Sequence, residues 1–83
     1  MPKMPRNITR AISEEIVNIM RLGLDTGKYE WTTTELSNEI RNIFGPHMLD
    51  NKVRYILEEY QGGILTPWWK STHGNKVIWE LNE

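Results

Sequence analysis

Apolar residues recur at helical spacing in three separate segments of this chain. The first segment has the one-sided apolar pattern of an amphipathic helix, formed by Ile8, Ile12, Ile16, Ile19, Met20 and Leu24. Asn7 suits the N-cap of such a helix, and Gly27, which tolerates a positive φ, suits its end. We therefore predict a first helix over residues 8–24.

The next two segments predict shorter helices. Thr32 to Glu35 contain a Ser/Thr-x-x-Glu capping box, in which side chains and backbone N–H groups satisfy one another. The box favours a helix over residues 33–44, and Gly45 with Pro46 ends it. A third helix is predicted over residues 47–61, with an apolar stripe of Leu49, Val53, Ile56, Leu57 and Tyr60.

The remaining residues have the pattern of a β-hairpin. Residues 64–70 are rich in β-branched and aromatic side chains, and residues 71–75 have the composition of a turn. Residues 76–81 alternate, so that Val77, Trp79 and Leu81 share one face. We predict a hairpin with its turn at residues 71–75.

A short β-prone stretch, residues 29–32, precedes the second helix and is expected to join the hairpin sheet through Trp31 and Trp79. The order helix, strand, helix, helix, strand, strand then predicts an α+β domain with a three-stranded antiparallel sheet. It resembles the winged helix-turn-helix family of DNA-binding domains over about residues 8–82. The segments that carry the resemblance are Trp31–Ser37, Val53–Tyr60 and Gly62–Leu65.

The resemblance implies a winged-helix fold that binds double-stranded DNA. In that family the third helix enters the major groove, and the hairpin, called the wing, contacts the DNA backbone. The expected organisation is a flexible N-terminal arm, residues 1–7, followed by one domain over residues 8–83.

Composition narrows the class of protein further. The chain has 83 residues, a formal charge of −1, and 39% apolar residues, values typical of one small globular domain. It has no cysteine, which excludes disulfides and thiolate metal sites. The absence of cysteine also favours a reducing compartment, and we expect a cytoplasmic protein. No apolar run is long enough for a membrane span, so we expect no membrane contact.

The residue pattern gives little support to catalysis. The two histidines, His47 and His73, lie on separate predicted elements, without the spacing of paired metal ligands. The adjacent acids Glu58 and Glu59 project from different helix faces and cannot act as an acid–base pair. We predict a protein that is not an enzyme, with no catalytic residues, no bound metal and no cofactor.

Nucleic-acid contact is better supported. The solvent side of the third helix carries hydrogen-bond donors in its first half and acids in its second half, as a recognition helix requires. Arg54 suits guanine and Asn51 suits adenine. The alternative is an ordinary solvated helix face. The candidate DNA contacts on this helix are His47, Asn51, Lys52, Arg54 and Tyr55.

The hairpin turn and the start of the second helix supply candidate phosphate contacts. On the wing these are Lys70, Ser71, Thr72, His73, Asn75 and Lys76. Thr33 and Thr34 lie where backbone N–H groups of the second helix are free, although capping explains them equally well. The arm residues Lys3 and Arg6, with Arg10, are expected to add at most a non-specific contact.

The adjacent Trp68 and Trp69 point to opposite faces of one strand, so both cannot be buried in one small core. One of them is expected to lie at a surface, where it either packs locally or contacts a partner. Helix 8–24 also carries Ala11, Val17 and Leu22 beside its main stripe. We predict a homodimer formed through this helix and one of the two tryptophans; a monomer is the alternative.

Together these features predict a sequence-specific DNA-binding protein that regulates transcription as a homodimer. Helix 47–61 would read the major groove, and residues 70–76 would contact the backbone. Two alternatives remain open: a winged-helix module that binds another protein, and an architectural or recombination accessory factor that reads little sequence.

Overall fold

The described residues form a small α+β fold of three helices and a two-stranded antiparallel sheet. A computed structural model describes residues 6–82, with the side chains of residues 8–82. In chain order the elements are α1 (Arg6–Asp25), α2 (Thr33–Phe44), α3 (Asp50–Tyr60), β1 (Trp68–His73) and β2 (Lys76–Leu81). Within this described part of the chain, no helix combines the length and apolarity that crossing a membrane requires.

Helix α1 begins earlier than predicted. It starts at Arg6, so Asn7 lies inside the first turn and the predicted N-cap is wrong. Of the predicted arm, residues 1–5 lie outside the described residues. The stripe is also shifted: Ile8 and Leu24 are exposed, while Val17 is buried, because the neighbouring elements cover only the middle of this long helix.

Helix α2 confirms the predicted bounds and the capping box. The N-cap Thr32 accepts a bond from the Glu35 backbone N–H at 3.1 Å, and the Glu35 carboxylate accepts one from the Thr32 N–H at 2.9 Å. Lys28 also donates to Glu35 at 2.8 Å. This hydrogen bond from Lys28, with that from the Thr32 backbone, holds the pKa of Glu35 below its ordinary value of 4.5.

The third helix is shorter than the predicted 47–61. Turn bonds from Met48 N–H to Gly45 O and from Leu49 N–H to His47 O hold the connection in a non-helical path, so His47 precedes α3. This path turns Met48 inward and Leu49 outward: they are 2% and 54% exposed. The predicted inward position of Leu49 is therefore wrong, and so is that of Tyr60, which is exposed.

The hairpin lies further along the chain than predicted. Strand β1 begins at Trp68, so residues 64–67 are not strand, and it continues through His73. Ser71, Thr72 and His73 are consequently strand residues, since His73 pairs with Lys76 and the turn is only Gly74 and Asn75. Gly74 has a φ of +66°, which suits the tight two-residue turn.

The predicted third strand is reduced to a single bridge. Trp31 and Trp79 exchange backbone hydrogen bonds of 3.0 and 2.7 Å, which confirms that they join. No longer ladder forms at this point, because the next residue, Thr32, already caps α2. The described residues therefore contain a two-stranded sheet with one isolated bridge partner.

The aromatic residues close the core between the helices and the sheet. Trp68 is fully buried and its indole donates to the Leu57 carbonyl at 2.8 Å. Trp69, on the other face, is 50% exposed, which confirms that only one of the pair is buried. The ring of Trp69 lies against Gly62, where an added Cβ would meet it at 2.4 Å.

Gly23 offers a test of this packing. It lies inside α1, where an added Cβ would stand 2.7 Å from the Trp31 ring atom Cζ2. Alanine normally stabilises a helix interior by about 1 kcal/mol relative to glycine, but overpacking costs about 1–3 kcal/mol. We expect Gly23→Ala to lower the free energy of unfolding by about 1–2 kcal/mol, measured by urea denaturation.

The matched measurement is Gly23→Ala in a Trp31→Phe background. The smaller ring removes the closest contact, while the Lys28 carbonyl remains 3.0 Å from the new methyl group, so the loss caused by the alanine should shrink. An equal loss in both backgrounds would contradict the contact, because the two substitutions would then act independently.

Candidate nucleic-acid interface

Helix α3 separates its buried and exposed residues sharply. Val53, Ile56 and Leu57 are fully buried against α2 and the rest of the core. The first two turns expose four side chains that form hydrogen bonds: Asn51, Lys52, Arg54 and Tyr55. These residues were predicted as DNA contacts, and the structure brings them together on the outer side of one helix. His47 lies just before the helix, exposed in the connection from α2.

The side chains of this surface are largely uncommitted. The side chains of Asn51 and Lys52 make no hydrogen bond or ion pair with any described residue. Arg54 reaches only the Glu58 carboxylate, one turn further along, at 3.9 Å with 62% of its side chain exposed. An exposed pair at that separation contributes little to stability. The donors of Asn51, Lys52 and Arg54 are therefore available to a ligand.

Arg41 of α2 braces the start of α3. Its guanidinium donates to the Asp50 carboxylate at 2.7 Å and to the Met48 carbonyl at 3.0 Å. Thr34 donates to the other Asp50 oxygen at 3.4 Å. The bond from Arg41 is the largest cause that holds the pKa of Asp50 below its ordinary value of 3.8. The negative charge at the start of α3 is thus compensated within the domain.

Lys70 occupies a different place from the one predicted. It pairs with Trp79 in mid-sheet, and its ammonium lies 2.9 Å from the Glu58 carboxylate near the end of α3. This hydrogen bond is the main cause that lowers the pKa of Glu58 below its ordinary value of 4.5. Lys70 therefore joins the wing to α3, and its predicted position at the tip is wrong.

The tip of the wing is less basic than the sequence suggests. Thr72, Asn75 and Lys76 are exposed around the turn, and Lys76 has no ion-pair partner among the described residues. His73 instead lies beside acids, with its Nε2 atom 3.8 Å from the Glu30 carboxylate. Sequence reasoning missed Glu30 here, because its proximity follows from the Trp31–Trp79 bridge.

Glu30, His73 and Glu80 form a cluster whose ligand atoms lie within 4.8 Å of one another. A nitrogen and two carboxylates are donors that zinc accepts. A tetrahedral zinc site places such donors about 3.4 Å apart, so the atoms of this cluster, which lie up to 4.8 Å apart, are more widely spaced than zinc requires. Ser71 Oγ lies 3.3 Å from the same His73 nitrogen that faces Glu30. A nucleophile–base–acid triad uses both ring nitrogens, so the geometry does not form one.

The two candidate threonines at the start of α2 both contact protein groups. Thr33 accepts a hydrogen bond from the Trp79 indole at 3.0 Å, and Thr34 bonds to Asp50. The Glu35 carboxylate also lies at this helix end, where it caps the Thr32 N–H. Because both threonine hydroxyls and the Glu35 carboxylate already bond to groups of the protein, this end of α2 is a weak candidate for a phosphate contact.

Comparison with known proteins gives little information about this chain. No family model and no solved structure matches it. Phosphotransferase RcsD of Escherichia coli (strain K12) is 39% identical over 57 residues, which are 69% of this chain. They are 6% of RcsD, so the chain spans a small part of that relative.

The Arg41–Asp50 brace predicts a specific titration. The pKa of Asp50 is lowered in the folded protein, so this pair stabilises the fold above the ordinary pKa and loses its effect as pH falls through the lowered pKa. In Arg41→Gln the pKa of Asp50 should rise towards its ordinary value, as followed by NMR of the side-chain carboxyl carbon.

Glu58 is the internal control for this titration. Its pKa is lowered by Lys70, and Arg41 is not among the causes, so it should titrate identically in the parent and in Arg41→Gln. An unchanged Asp50 titration in the variant would show that the brace is absent in solution.

Proposed function

We propose that this protein binds double-stranded DNA sequence-specifically as a winged-helix regulator of transcription in the cytoplasm. One observation carries the proposal. The first two turns of α3 present Asn51, Lys52, Arg54 and Tyr55 to solvent, directly over the buried residues that fix the helix against the core. A rigid helix with an exposed set of donors is what reading base edges requires.

The spacing of these side chains suits the major groove of DNA. Asn51 and Arg54 are three residues apart and lie on one side of the helix, while Lys52 and Tyr55 form the neighbouring row. Arg54 would bind guanine through two donors, and Asn51 would bind adenine through its amide. Lys52 would contact a flanking phosphate, which adds affinity without reading sequence.

The acids of α3 do not oppose this mode of binding as strongly as the sequence suggests. Asp50 is paired with Arg41 at 2.7 Å, and Glu58 with Lys70 at 2.9 Å. Each carboxylate is therefore compensated before DNA approaches. Glu59, in the second half of the helix, has no such partner among the described residues, and it favours a pose in which this half points away from the DNA.

The wing would contact the backbone chiefly through Lys76, with Asn75 and Thr72 beside it. Lys70 contributes less, because a phosphate would have to displace Glu58. His73 faces Glu30 and Glu80, and these two carboxylates make its position less favourable for a phosphate. We propose no phosphotransfer activity from the match to RcsD, since the two chains share only a short region.

Loss of a base contact should be specific to one position of the site. We expect Asn51→Ala and Arg54→Ala each to weaken binding to a selected DNA site by about 1–3 kcal/mol and to relax preference at one base pair. Selection from a random DNA pool followed by fluorescence anisotropy titration measures both effects.

Asn82→Ala is the matched control, because Asn82 is exposed at the base of the hairpin, where its backbone N–H bonds to Pro67. It should bind as the parent does. If Asn51→Ala and Arg54→Ala bind every sequence as tightly as the parent, α3 does not read DNA. An equal loss on all sequences would instead favour the architectural alternative.

The two wing lysines should differ in their effect. Lys76→Ala is expected to reduce the slope of log affinity against log salt by about one, because an unpaired cation is lost. Lys70→Ala should reduce it less, because Glu58 already neutralises Lys70. Titrations at several salt concentrations measure the slopes, and equal slopes for the two variants would contradict the assigned roles.

A further inference from the structure

A large apolar surface lies away from the proposed DNA contacts. Ile64 and Leu65, in the segment between α3 and β1, are 97% and 74% exposed. With Tyr60 and Pro67 they form one wall of an open groove of about 1140 Å³. The other wall is α1. Two large aliphatic side chains exposed side by side on so small a domain indicate a surface that another molecule covers.

We propose that this groove is the interface of a two-fold homodimer, in which α1 of one copy packs antiparallel to α1 of the other. This face of α1 is defined by Arg10, Glu14, Val17, Asn18, Arg21 and Asp25. Five of these lie in the groove wall, and Asp25 continues the same face one turn further on. In such a dimer Ile64 and Leu65 of each copy are covered by the partner.

The charges on this face are complementary to a second copy of itself. Within the monomer, Arg10 donates to Glu14 at 3.3 Å in an exposed pair, which costs little to exchange. An antiparallel pairing about an axis midway between Val17 and Asn18 sets Arg10 opposite the partner's Asp25, and Glu14 opposite the partner's Arg21. Two-fold symmetry repeats each pair. A parallel pairing would instead set Arg10 beside the partner's Arg10, which is repulsive. The face therefore selects a second copy in one orientation.

The proposed interface keeps the first helix, as the sequence predicted, but not the predicted apolar contacts of Val17 or Trp68. Val17 is 5% exposed and contributes only the floor of the groove, and Trp68 is fully buried, so the monomer already holds both. The proposed contact depends instead on Ile64 and Leu65. From α3 the groove involves only its last residue, Tyr60, which leaves Asn51 and Arg54 outside it.

Sedimentation equilibrium without DNA tests the dimer independently of the proposed function. The parent chain should move from 9.8 kDa towards twice that mass between micromolar and submillimolar concentration. Ile64→Glu should raise the dissociation constant at least tenfold, because it places a charge in an apolar contact. Ile43→Glu is the matched control, since Ile43 is 52% exposed on α2, outside the groove, and it should dimerise as the parent does.

A charge exchange tests the orientation. Arg10→Asp and Asp25→Arg should each weaken the dimer about tenfold, because each turns two symmetry-related attractions into repulsions. The double variant should restore the parent's dissociation constant. Arg10→Asp also removes the exposed bond to Glu14 within α1, so circular dichroism of each variant is compared with the parent to establish that the helix is retained.

Two results would overturn the proposal. A mass of 9.8 kDa at every concentration would mean that no second copy covers the groove. A dimer that persists unchanged in Ile64→Glu, or that the double exchange fails to restore, would mean that the copies associate through another surface.

Discussion

Trp79 links three parts of the molecule that are distant in sequence. Its backbone exchanges hydrogen bonds with Trp31, and its indole donates to Thr33 at the start of α2. Through the sheet it pairs with Lys70, the residue that bonds to Glu58 of α3. Because the backbone and the side chain of one buried residue make all of these contacts, the position of the wing relative to α2 and α3 is fixed. The outer side of α3 can then present its donors at a constant angle.

Charge compensation has a similar role at the surface. The chain has almost equal numbers of basic and acidic residues, and the fold pairs several of them across elements: Lys28 with Glu35, Arg41 with Asp50, and Lys70 with Glu58. Exposed pairs of this kind contribute little stability individually. Their greater effect is on which charges remain available: of the four described lysines, Lys28 and Lys70 are paired, and Lys52 and Lys76 are not.

A domain of this size needs most of its apolar residues to fill its core. The exposure of Ile64 and Leu65 is therefore informative, because burial of either in the monomer would have stabilised the fold. The segment that carries them contains Gly62, whose φ of +75° and close approach to the Trp69 ring set the direction of the chain as it leaves α3. The backbone thus holds the apolar pair beside α1 and outside the monomer core.

Local patterns in the sequence determined much of the fold. The bounds of α2 and its capping box follow from Thr32 and Glu35, since capping involves neighbours in the chain. The alternation in residues 76–81 placed Trp79 inside, and the adjacency of Trp68 and Trp69 required one of them to be exposed. The candidate DNA contacts of α3 from Asn51 to Tyr55 were also recognisable, because helical periodicity separates a buried from an exposed side.

The tertiary structure decided what periodicity cannot express. Met48 is buried and Leu49 is exposed, against the predicted inward position of Leu49, because turns over residues 45–49 rotate the chain before α3 begins. Lys70 binds Glu58, and His73 meets Glu30, because the register of the hairpin and the Trp31–Trp79 bridge bring distant residues together. The sequence by itself determined that three helices form, the bounds of α2, and the buried side of α3 at Val53, Ile56 and Leu57, since these depend on near neighbours. Which charges are neutralised, and which apolar residues stay exposed, depends on packing between elements and was decided only by the tertiary structure.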